Sequence, residues 1–189
     1  VGNPVMPPKW VMGYMQSHRS LQGPDEVLGV AKRLRADEIP CDALWLDIDY
    51  MDGFRVFTVD KNHFPEGLEG TAQKLSKSGR RIVAILDPGV KQEKGFPVYD
   101  DLKKHQIECL NPEGEEFVGV VWPGDTVFPD FTLSAARSWW AEYVSKLARQ
   151  GLAATWVDMN DPSTGCVDPS TMLFNRGKDS HAQIGRASC

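Results

Sequence analysis

The feature that most constrains this chain is an alternation. Four runs read as buried strands: "WVMGYM" (Trp10–Met15), "CDALWLDIDYMD" (Cys41–Asp52), "RRIVAILDPGV" (Arg80–Val90) and "LAATWVD" (Leu152–Asp158). Helical patterns fall between them. "PDEVLGVAKRLRAD" places Val27, Leu28, Val30, Ala31 and Leu34 at helical spacing, with Pro24 and two acids in the first turn, where the helix dipole favours them, and Pro40 stops it. "LEGTAQKLSKSG" (Leu68–Gly79) ends on a glycine C-cap. "SAARSWWAEYVSKLARQG" (Ser134–Gly151) opens on Ser134 as N-cap and closes on Gly151. Its Trp139 and Trp140, with Tyr143, Val144 and Leu147, read as core packing. Strands alternating with helices, each strand apolar on both faces, predict an α/β chain with a parallel sheet covered by helices. Between Lys91 and Thr132 the pattern is less regular, and from Asn160 onward no element is predicted.

With 189 residues, 41% hydrophobic and 25% charged, the chain can bury a core of ordinary globular composition. A formal net charge of −5 argues against non-specific nucleic-acid binding, which needs a basic face. No apolar stretch approaches the roughly 20 residues that span a bilayer. The opening "VGNPVMPPKW" has neither a charged n-region nor an apolar h-region, so no secretory signal is expected there; a mature product or a piece of a longer chain would read the same. Cys41, Cys109, Cys166 and Cys189 lie far apart with no C-x-x-C pair, which is neither a zinc signature nor a disulfide scaffold. His18, His63, His105 and His181 form no set, so no metal site is predicted.

Parallel βα architectures place their ligands at the carboxyl ends of the strands. Here those ends carry "DIDYMD", "DPG" and "DMNDPS", with "VWPGDTVFPDF" in the long connection. Asp47, Asp49, Asp52, Asp87, Asp130, Asp158 and Asp161 are therefore candidates to face one opening, interleaved with Trp45, Tyr50, Trp122, Phe128, Phe131 and Trp156. Carboxylates beside flat aromatic faces suit a sugar, whose hydroxyls donate to carboxylates while its C–H face lies on a ring. A calcium or magnesium cage would also cluster acids. It is disfavoured because these acids come from separate strands, mixed with tryptophan. Asp87 reads as a turn cap, Asp130 as a hydrogen-bond partner of the site, and Asp49 and Asp52 as loop ties.

"WLDIDYMDGFRVFTVDKNHFP", "LDPGV", "VWPGDTVFPDFT" and "WVDMNDPS", in this order and spacing, resemble the α-glucosidases of glycoside hydrolase family 31; "GYMQSHRS" fits the start of that family's barrel. The likeness runs from about Lys9 to about Asp161 and on through "DSHA". It implies a partial (β/α)8 TIM barrel, about the first four βα units, since a whole barrel has eight strands in about 250 residues. It implies that Asp158 is the catalytic nucleophile, that Asp47 lines the −1 sugar site with Ile48 beside it, that Trp122 and Trp156 shape the pocket, and that Met159 packs next to it. Asp161 stands where many relatives have glutamate.

The resemblance further implies a retaining hydrolase of terminal α-linked glucose in oligosaccharides, with no metal or organic cofactor. The acid/base and the sugar-holding arginine belong to later strands, beyond this sequence. Residues 1–189 are accordingly expected to be the N-terminal half of the catalytic barrel, lacking the family's N-terminal and C-terminal β-domains, needing the remainder of their own chain and inactive alone. The alternative is a carbohydrate-binding or inactive homologue that keeps the pocket without turnover. A phosphate-binding or metal-dependent enzyme would show a Gly-rich loop with basic residues or paired ligands, and neither is present. The terminal "IGRASC" matches no segment of the family. Compartment is not legible.

Overall fold

A computed structural model describes Asn3 and residues 5–180. Two compact units emerge, one from Val1–Asp52, Val59–Ile85 and Leu147–Trp156, the other from Gly53–Thr58, Leu86–Lys146 and Val157–Cys189.

The first unit is built on a four-stranded parallel sheet of β1 (Met15–Ser17), β2 (Ala43–Leu46), β3 (Arg81–Leu86) and β7 (Ala154–Val157), in the order β1-β2-β3-β7. Register aligns Met15 with Ala43 and Trp45 with Val83. The two central strands are nearly all buried, as apolar strands with neighbours on either side should be. At the edge, β7 is only half-buried, and its Val157 is 61% exposed. Among the described residues the sheet does not close on itself, so β1 and β7 remain edges. This is a partial barrel of α/β type.

Helices α1 (Pro24–Ala36) and α2 (Glu69–Lys77) pack against each other, the first burying Val27 and Ala31, the second Thr71, Ala72 and Leu75. The N-terminal acids of α1 and the glycine after α2, Gly79 at φ 78°, match the sequence reading.

Three strand expectations are corrected. "WVMGYM" is not a strand: Lys9–Met12 form a 3-10 turn after Pro8, and β1 starts only at Met15. A proline at the entry pre-sets φ for a turn, and the Trp10 ring is engaged by the Arg81 guanidinium, 5.2 Å from its centroid. The run Cys41–Asp52 is strand only over Ala43–Leu46, because the Asp47 carboxylate takes the Ile48 N–H at 2.7 Å and winds Ile48–Tyr50 into a 3-10 turn. The run Arg80–Val90 is strand only to Leu86, and Val90 belongs to a second sheet.

That second sheet lies in the stretch read as irregular. Strands β4 (Val90–Lys91), β5 (Val118–Val121) and β6 (Gly124–Val127) pair antiparallel in the order β4-β6-β5. Between β4 and β5 comes α3 (Pro97–His105), and a small hairpin of β8 (Leu173–Phe174) and β9 (Asp179–Ser180) occupies the region after Asn160. The core of this unit gathers Cys109, Phe117, Phe128, Met172 and Phe174, with Val167 against it.

Helix α4 (Ser134–Ala148) carries Trp139, which is buried as expected. Asp101 of α3 accepts from Trp139 Nε1 at 2.8 Å and from the Tyr143 hydroxyl at 3.1 Å, so one carboxylate joins the two helices. Cys41, Cys109 and Cys166 are free thiols; Cys189, His181 and "IGRASC" lie outside the described residues.

Candidate active site

Asp47 directly follows β2, and Asp158 directly follows β7. β2 is apolar throughout, β7 carries the single polar Thr155, and the first residue past the end is an aspartate in each case. In the first unit, Asp47 is half-buried with one oxygen fixed by the Ile48 amide. Ile48 itself is 1% exposed and belongs to the core, as an apolar wall behind the acid. Trp156, on β7, meets the ring of Trp45, on β2, at 5.5 Å between centroids and 43° between planes. That tilted pair fixes the indole of Trp156 by its neighbour across the sheet. Trp45 Nε1 is buried and has no hydrogen-bond partner among the described residues.

In the second unit, Asp158 is exposed and accepts the Met159 N–H at 2.9 Å. Met159 holds φ 56°, the left-handed region that costs a non-glycine residue energy. The flip turns the chain sharply after the acid, and the Met159 carbonyl then accepts from the Ser163 N–H at 3.0 Å. The turn leaves the Asp158 carboxylate exposed with one oxygen oriented by the next amide. Trp122 and Pro123 form the two-residue tip of the β5–β6 hairpin, Trp122 is 46% exposed, and the Phe54 ring packs edge-to-face with it at 6.3 Å between centroids. The Asp158 loop docks on this hairpin, since Val120 N–H donates to the Thr164 carbonyl at 3.1 Å.

Asp130 is 1% exposed and accepts from Thr132 N–H at 3.0 Å, from the Thr132 hydroxyl at 2.6 Å and from Asn175 N–H at 2.7 Å. It ties the turn at Thr132 to the chain at Asn175. Asp49 pairs with Arg19 at 3.7 Å and ties the loop after β2 to the loop after β1. Sequence reasoning missed the ring that packs on Trp122, Phe54. Phe54 stands inside a motif already singled out, but its contact with Trp122 spans almost seventy positions and leaves no local signal.

Among the described residues no group of three or more His, Cys, Asp or Glu is placed to hold a metal ion. No helix there is long and apolar enough to cross a membrane.

Comparison with known proteins agrees with this architecture. The model of the glycosyl hydrolases family 31 TIM-barrel domain matches residues 4–185. Alpha-glucosidase 2 of Bacillus thermoamyloliquefaciens is 41% identical over 162 residues, covering 86% of this chain and 20% of that protein. Among solved structures, a glucosidase II alpha subunit superposes with a TM-score of 0.88 at 30% identity, over 97% of this chain and 20% of the other. A Flavobacterium johnsoniae family 31 dextranase complexed with glucose superposes with a TM-score of 0.85 at 26% identity, over 97% of this chain and 23% of the other. A parallel βα half-sheet with an aspartate immediately past β2, β3 and β7 is thus the type of partial barrel seen here. The chain belongs to glycoside hydrolase family 31. It spans about a fifth of the length of the curated relatives it matches.

Proposed function

We propose that these residues are the N-terminal half of the catalytic barrel of a retaining α-glucosidase, and that Asp158 is its nucleophile. The observation that carries the reading is the placement of Asp158, presented by the left-handed turn at Met159 immediately past the end of β7. Asp47, Ile48, Trp122, Trp156 and Met159 would form the −1 sugar site, with Asp47 receiving hydroxyls and the indoles receiving the C–H face of the ring.

Retention needs two carboxyl groups about 5–5.5 Å apart on either side of the anomeric carbon. In the first step an Asp158 oxygen bonds to C1 as the C1–O bond to the leaving group breaks. A second carboxyl group, supplied by chain outside these residues, gives its proton to the departing oxygen. In the second step that group, now ionised, takes a proton from water as the water oxygen bonds to C1 and Asp158 leaves as a carboxylate. No metal or organic cofactor is needed for either step. The substrate is an α-linked oligosaccharide with terminal glucose, in keeping with the names of the relatives. The remainder of the chain is required both for the acid and to pair the open edges of the sheet.

The test is covalent trapping. The full-length parent protein treated with a 5-fluoroglucosyl fluoride should gain one glycosyl unit on the peptide carrying Asp158, read by mass spectrometry. Asp158→Asn should gain none, and labelling that persists in the variant contradicts the assignment.

A further inference from the structure

Trp122 stands at an exposed hairpin tip, where a side chain ordinarily moves with the loop that bears it. Two routes converge on it. Directly, the Phe54 ring packs edge-to-face with the indole, 6.3 Å between centroids and 64° between planes. Through the main chain, Lys91 Nζ donates to the Pro123 carbonyl at 3.0 Å, holding the peptide that follows the residue next to Trp122. Lys91 lies within 3.7 Å of Glu93, and Glu93 in turn receives Arg55 Nη1 at 3.3 and 3.4 Å. Arg55 adjoins Phe54 in sequence and rests over the Phe96 ring at 5.9 Å. The circuit therefore closes, from indole to Pro123, Lys91, Glu93, Arg55, Phe54 and back.

We propose that Lys91 is a positioning residue for Trp122, acting through the Pro123 carbonyl and itself aimed by Glu93 and Arg55. This rests on the reading of Trp122 as a wall of the sugar site. Three points support it. Pro123 has no N–H, so its carbonyl is the only main-chain hydrogen-bonding group it offers a clamp. Lys91 sits where β4 pairs with β6, opposite Thr126 and close to the tip. The side chains of Lys91, Glu93 and Arg55 are 31%, 39% and 26% exposed, a setting in which ion pairs contribute little to stability, so their alignment serves geometry more than folding.

The experiment uses the full-length parent chain labelled with 5-fluorotryptophan, its Trp122 fluorine resonance assigned by Trp122→Phe. Lys91→Met should shift and broaden that resonance and raise KM for 4-nitrophenyl α-glucoside about fivefold with kcat within about twofold, the pattern of lost uniform binding. Lys91→Arg, which can still donate to the carbonyl, should restore both. A Trp122 resonance unmoved by Lys91→Met overturns the clamp. A moved resonance with KM unchanged upholds the clamp and removes Trp122 from the sugar site, which tells failure of the functional reading apart from failure of this one. If Lys91→Met does not fold, Glu93→Gln keeps the lysine but loses the charge that aims it. It should move the same resonance in the same direction by less, and no movement overturns the proposal.

Discussion

The Val120 amide donates to the Thr164 carbonyl at 3.1 Å, and this one bond joins the hairpin that carries Trp122 to the loop that follows Asp158. It pairs the free edge of β5 with the loop, so the edge strand's polar groups are used rather than left to water. Close approach makes it feasible. Gly165 sits at φ 70°, and a Cβ there would stand 2.0 Å from the Val120 carbonyl oxygen, a backbone atom that cannot move aside cheaply.

Gly165→Ala should therefore push the loop off the hairpin and destabilise the fold by roughly 2–4 kcal/mol, since it combines a left-handed conformation with a main-chain clash. Urea unfolding would measure the loss. Amide exchange of Val120 should accelerate in the variant well beyond that of the central strand β3, and equal protection in both proteins would count against the docking role.

On the proposal that the acid/base is supplied by chain outside these residues, residues 1–189 expressed alone should show negligible hydrolysis of 4-nitrophenyl α-glucoside. Among the described residues the edges β1 and β7 are also unpaired. A rate comparable with intact relatives would defeat the assignment of the acid to the missing part.

Acid stability should depend on Glu116. Burial pushes its pKa up, but hydrogen bonds from Gln92, Lys103 and the Tyr99 hydroxyl outweigh it, so the group lies below its ordinary value of 4.5. Lys103, 3.0 Å from Glu116, also meets the buried Glu108; burial lowers its pKa, and the two carboxylates more than offset this, leaving it above 10.5. A depressed carboxylate stabilises the fold above its unfolded pKa, and that stability is lost as pH falls through the folded value. The raised lysine acts at the other end, its contribution complete below 10.5 and lost as pH rises through its folded value. The urea midpoint should thus decline below about pH 4.5 in the wild type. Glu116→Gln should be less stable at neutral pH and show a shallower decline. An identical acid limb in both proteins would mean that other carboxylates control it.

The alternation of apolar strand runs with helical patterns was legible because burial on both faces leaves a continuous hydrophobic signature that needs no partner to be recognised. Helices α1 and α2 were bounded to within a residue or two by Pro24 and Gly79, whose backbone preferences are local. The shortness of β1 and β2 was not legible. Trp10 sits in a 3-10 turn with its ring against Arg81, and Asp47, itself extended, caps the 3-10 turn that begins at Ile48; strand propensity contains neither partner. The β4-β6-β5 sheet was hidden for a related reason, since each strand is short and the pairing of Val90 with Val127 spans more than thirty positions. Helix α3, by contrast, carried a readable signal in Pro97 at its first position.

Residue order and local burial were enough to read off the family, the α/β class and the aspartates that follow the buried strands. Only the tertiary structure decided that Met159 takes a left-handed turn after Asp158, that Thr164 docks on Val120, and that Lys91 reaches the carbonyl beside Trp122. Such features depend on distances between segments far apart in the chain, and those distances exist only once the core has set the backbones against one another.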